Sequence, residues 1–97
     1  MTVPTGPRRR RKDDLTDTGR LVADRRLALG LTQVELAELA GVGLSSVRTL
    51  EAGSDAMTLT VVIAVLDALG LALAVGPRPA LHAVPGAVVL GPAAGSR

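Results

Sequence analysis

Not one aromatic residue occurs in this chain of 97 residues. A core without Phe, Tyr or Trp must be built from Leu, Val and Ala, which bury little area each and must therefore pack closely. Hydrophobic residues make up 47% of the chain, enough for one such core if most of them join it. The length leaves little for a second domain. The same absence removes the stacking platforms on which sheet-type proteins hold single-stranded nucleic acid. Cysteine is also absent, which excludes a disulfide framework and a thiolate zinc site. The single histidine, His82, excludes a histidine-rich metal cluster.

The net charge of +2 is unevenly spread. Arg8, Arg9, Arg10, Arg11 and Lys12 form one basic run, whereas residues 13–76 hold all nine acids against Arg20, Arg25, Arg26 and Arg48. The middle of the chain is therefore acidic, and attraction to a polyanion has to come from a few placed groups and the basic run. Asp13 and Asp14 follow that run where a secretory signal would turn apolar, so export is not expected. The apolar stretch Leu59–Val75 is short for a membrane span and carries Asp67 near its middle. It is expected to be a buried helix followed by a strand.

Three regions follow: a disordered basic arm over 1–14, a folded segment over 15–76, and a flexible tail rich in Pro, Gly and Ala over 77–97. Glycines punctuate the folded segment. A first helix is expected from Thr16 or Asp17 to Leu29, stopped by Gly30, with Val22, Arg26 and Leu29 on one face. Thr32 and Glu35 form a capping box for a second helix whose inner stripe is Leu36, Leu39 and Ala40 and whose stop is Gly41. A third helix spans Leu44 to Glu51, with Val47 and Leu50 inward, and stops at Gly53. Thr58 or Thr60 caps a fourth helix that ends at Leu69, before Gly70. Leu71–Val75 alternates with a period of two and is expected to be a strand.

Two short helices joined by a glycine turn, Gln33 to Gly53, make a helix-turn-helix pattern. Ala37 is small where the helices cross, Gly41 permits the turn, and Val42, Val47 and Leu50 fill the wedge between them. The outward face of the third helix, Ser45, Arg48 and Thr49, then suits a major groove. Arg48 is the only residue there able to grip guanine with two hydrogen bonds; a phosphate contact or a nearby acid is its alternative role. Leu44 either touches a thymine methyl or packs beside Val47.

The segments LTQVELAELAGV and SSVRTLEAG resemble the lambda-repressor-like (Xre-type) helix-turn-helix family, over about Gly19 to Leu71. The first helix, the fourth helix TLTVVIAVLDALGL and the LALAV stretch are similar to HipB-type antitoxins. The resemblance implies an all-α bundle of four helices with a short C-terminal strand that pairs across a homodimer. It implies a cytoplasmic, nucleoid-associated bacterial repressor that reads double-stranded DNA at a palindromic operator, and a HipA-like kinase toxin as partner. It assigns Gln33 and Ser46 to phosphate, with plain solvation and local capping as their alternatives. Gly43 departs from the family, which has Ser or Thr there; its backbone can still approach a phosphate. The resemblance also makes Arg26 and Glu51 a structural ion pair between the first and third helices, with Glu35 as another candidate partner for Arg26.

Dimerisation is expected from the residues as well. Val62, Leu66 and Leu69 form one stripe of the fourth helix, while Val61, Val65 and Ala68 form another that needs covering. With the strand, this gives Val61, Val65, Leu71, Leu73 and Val75 as the expected interface; the alternative is that Val88–Leu90 of the tail covers the strand. The basic run lies along phosphates or serves solubility. No cofactor, metal or enzymatic activity is expected, since no nucleophile–base pair, metal cluster or phosphate loop is present. A module that binds only protein partners is the competing function.

Overall fold

A computed structural model describes the backbone of residues 5–90 and the side chains of residues 15–90. Five helices follow one another: α1 (Thr5–Ala28), α2 (Gln33–Ala40), α3 (Leu44–Glu51), α4 (Leu59–Ala68) and α5 (Arg78–His82). α1 packs on α3, and α2 packs on both α3 and α4. The core between them is Val22, Leu36, Ala37, Val47, Leu50, Val65, Leu66 and Leu69, with Leu31, Ala40, Val42, Val62, Ala68 and Leu71 packed partly buried around it. Every one of these is a small aliphatic residue. None of the helices among the described residues is long and apolar enough to cross a membrane.

Local chemistry sets the helix boundaries. At the start of α2 the Thr32 hydroxyl accepts from the Glu35 N–H at 3.0 Å, and the Glu35 carboxylate accepts from the Thr32 N–H at 2.8 Å. This reciprocal box satisfies two donors that a helix start leaves open. Thr58, not Thr60, caps α4 by accepting from the Val61 N–H. α4 ends where Gly70 takes a φ of +73° and the Leu71 N–H donates back to the Leu66 carbonyl at 2.8 Å. That left-handed residue lets two terminal carbonyls find donors, because the Gly70 N–H bonds the Asp67 carbonyl as well.

The fold departs from the sequence expectations at several points. α1 begins at Thr5, about three turns before the expected caps Thr16 and Asp17, so the backbone of the basic run continues the helix. Arg and Lys are good helix formers, and no proline interrupts the chain between Arg8 and Ala28. Leu29 lies past the end of α1 and is 47% exposed, and Leu39 is 64% exposed, so neither joins the inner stripe assigned to it. Val65 is fully buried in the chain's own core, which removes it from the expected dimer interface. α4 turns Val65, Leu66 and Leu69 inward together, and its outward face carries Leu59, Ile63 and Asp67.

No strand forms among the described residues. Leu71–Val75 is not a strand, because a ladder needs hydrogen-bonded pairing and no other described segment pairs with it. Residues 77–90 hold more local structure than their prolines suggest. Pro77 caps α5 and Pro79 sits in its first turn, where a missing N–H costs nothing. Arg78 then holds the chain's return by donating to the Leu90 carbonyl at 3.1 Å. Leu81, Val84, Val88, Val89 and Leu90 line an apolar groove of about 700 Å³ together with Leu71, Leu73 and Val75.

Candidate nucleic-acid interface

The turn between α2 and α3 is built on Gly41, whose φ of +71° lies in the region that side chains disfavour. The Val42 N–H closes the turn on the Ala37 carbonyl at 3.0 Å, and Val42 packs against the core. Ala37 is 5% exposed, so a larger side chain there would separate the two helices. Gly43 is the N-cap of α3 in extended backbone and offers no side-chain acceptor. The Ser46 N–H bonds the Gly43 carbonyl instead.

α3 buries Val47 and Leu50 and turns the opposite face outward. Ser45 and Arg48 are exposed, and Leu44, Ser46 and Thr49 are half-buried. Among the described residues Arg48 makes no ion pair and no side-chain hydrogen bond, so no acid neutralises it. Its guanidinium is available to a base edge or a phosphate. Leu44 is buried enough to pack and open enough to be touched.

Arg26 and Glu51 join α1 to α3. The Arg26 Nε donates to Glu51 Oε2 at 2.7 Å and Nη2 donates to Oε1 at 3.0 Å, a two-pronged pair with side chains 11% and 8% exposed. The hydrogen bond with Glu51 raises the Arg26 pKa above its ordinary value, against a smaller lowering by burial. Nη1 of the same guanidinium donates to the Leu31 carbonyl at 2.9 Å and so holds the loop before α2. Glu35 is engaged in the capping box rather than with Arg26. Gln33, the first residue of α2, donates from Nε2 to Glu51 Oε1 at 3.0 Å. The side chains of Arg8, Arg9, Arg10, Arg11 and Lys12 lie outside the described residues.

Sequence reasoning overlooked three contacts around this surface. Gly19 lies where α1 meets the end of α3: a Cβ placed on it would stand 2.5 Å from the Glu51 carbonyl oxygen and 2.6 Å from that of Leu50. An isolated glycine inside a helical pattern was the available signal. Arg25 donates from Nε to the Leu69 carbonyl at 2.9 Å, fastening the end of α4 to α1. The Gln33–Glu51 bond is the third, and no spacing rule gives it. Among the described residues no group of His, Asp and Glu is placed to hold a metal.

No curated protein matches the chain. A helix-turn-helix family model matches residues 22–75, which takes in the last two turns of α1, the whole α2–turn–α3 unit, α4 and the stretch after it. With more than half of its length matched and its helices arranged as described, the chain belongs to the helix-turn-helix family of DNA-binding regulators, of the Xre or lambda-repressor-like type.

Proposed function

We propose that this protein is a homodimeric transcriptional repressor that places α3 of each protomer in the major groove of an operator half-site. The observation that carries this is Arg48 on the outer face of α3, exposed and without an ion pair among the described residues, beside exposed Ser45. In this account Arg48 pairs with a guanine edge, Ser45, Thr49 and Leu44 add weaker base contacts, and Gln33, Gly43 and Ser46 face phosphates. Few side chains reach bases, so DNA shape and half-site spacing supply part of the selectivity. The half-sites lie about one helical turn, roughly 34 Å, apart. Repression follows from occupancy of a promoter, the protein's own among them.

Dimerisation is assigned to residues 71–75, the stretch after α4. Leu73 is 44% exposed and Val75 is 96% exposed, on backbone that has no ladder partner among the described residues. The same stretch of a second copy, related by a two-fold axis, would supply the ladder and cover both side chains. Leu71 would flank that seam, with half-buried Val61 at its edge.

The resemblance of α1, α4 and the LALAV stretch to HipB-type antitoxins extends the proposal to a HipA-like kinase toxin as partner. The experiment for DNA binding is selection of a duplex from a random pool, followed by anisotropy titration of that duplex with the wild type and Arg48→Ala. Loss of about 1–3 kcal/mol confined to one base position per half-site supports the assignment. Equal loss on every sequence makes Arg48 a phosphate contact. For the toxin, co-expression with a kinase-fold neighbour gene must give a complex that survives gel filtration, and two separate peaks count against it.

A further inference from the structure

We infer that Glu51 is a positioning residue for DNA binding, acting through Gln33; this rests on the DNA-binding function proposed above. Glu51 is joined to α1 and α2 at once, because its carboxylate takes both Arg26 prongs and the Gln33 amide. A carboxylate only accepts, so it dictates which end of the Gln33 amide faces it: the nitrogen, with the carbonyl oxygen away. An amide nitrogen carries two hydrogens, and Glu51 takes one. The other stays at the half-exposed first turn of α2, beside the Gln33 and Val34 backbone N–H groups that a helix start leaves without an intrahelical acceptor. A phosphate oxygen would thus meet side-chain and backbone donors together, with the glutamine rotamer fixed before contact.

The charge arithmetic agrees. A lone carboxylate behind Gln33 would repel a phosphate, but Arg26 neutralises Glu51 through two hydrogen bonds. Arg26 also grips the Leu31 carbonyl, so the loop that leads into the Thr32 cap moves with the same guanidinium. The arrangement lets a negative group orient a phosphate donor at no cost in net charge.

The sequence supplies an unusually direct test. Gln33 is the only glutamine and the chain has no asparagine, so its side chain gives the only carboxamide NH₂ signal in a nitrogen-15 spectrum of the full protein. The expected result is a pair of well-resolved resonances with slowed exchange in the free wild type. They should collapse to free-amide positions in the Arg26→Met/Glu51→Met double variant, which exchanges the ion pair for apolar volume and leaves no unpaired charge. Anisotropy on the selected duplex completes the cycle. Gln33→Ala should weaken binding about tenfold in the wild type and less than twofold in the double-Met background.

A free amide in the wild type overturns the inference, and so does an equal effect of Gln33→Ala in both backgrounds. If the double-Met protein does not fold, the wild-type amide decides alone: it must keep its slowed exchange through the DNA titration, and release on binding refutes the clamp. A held amide in a protein that binds no duplex would instead refute the DNA-binding function and reduce the clamp to a fold contact.

Discussion

Replacing Gly19 by Ala is the sharpest stability test of this packing. In an open helix the change should stabilise, because glycine costs roughly 0.5–1 kcal/mol relative to alanine. Here the new Cβ would lie 2.5 Å and 2.6 Å from two α3 carbonyl oxygens and 2.9 Å from the Glu51 carbonyl carbon. All three are backbone atoms, so no side chain can swing aside; α1 must move off α3. Overpacking of this kind costs about 1–3 kcal/mol, and backbone contacts place it at the upper end. The displaced helix also carries Arg26, whose bond to Glu51 is 2.7 Å. After subtraction of the propensity gain the expected net loss is about 2 kcal/mol, a fall in Tm on the order of 10 °C for a domain this small. Urea and thermal unfolding followed by far-ultraviolet circular dichroism would measure it. An alanine variant as stable as the wild type, or more so, would refute the close approach of α1 and α3.

Three further outcomes are expected. Glu51→Ala leaves a mostly buried guanidinium without its carboxylate and should cost about 3 kcal/mol in a chemical denaturation curve, whereas Arg26→Met/Glu51→Met should cost clearly less. Exchanging Arg8–Lys12 for serines should flatten the dependence of log K on log salt by about 0.9 for each phosphate the run contacts, and an unchanged slope assigns the run to solubility. Leu73→Lys with Val75→Lys should convert a dimer to a monomer in light scattering with helicity retained; a wild type that is already monomeric at high concentration removes the proposed seam.

Much of the helix-turn-helix unit was legible in the sequence because its signals are local. Thr32 with Glu35, Gly41 as a left-handed stop and Gly70 as another each act within a few residues, and the helices between them begin and end where those residues require. Val22, Val47 and Leu50 followed from helical periodicity. What escaped depends on distant partners. Leu39 falls on an apolar stripe yet stands exposed because α2 buries Leu36 and Ala37 instead, a rotation that only the packing of α3 and α4 fixes. Val65 falls on a second stripe by its spacing, but α4 sits deep enough for both stripes to reach the core. The alternation of Leu71–Val75 has the period of a strand, and period alone cannot provide a ladder. Of the expected site, Arg48 and Ser45 lie on one open face, whereas the link from Gln33 to Glu51 joins residues far apart in sequence.

The most direct test of the account is the ratio of affinities for a selected duplex and for random duplex at the same salt concentration. A sequence-reading helix-turn-helix dimer should bind its selected site at least about a thousandfold more tightly, and Arg48→Ala should shrink that ratio while leaving random-duplex affinity nearly unchanged. A ratio near one, or no duplex binding at low salt, would contradict it.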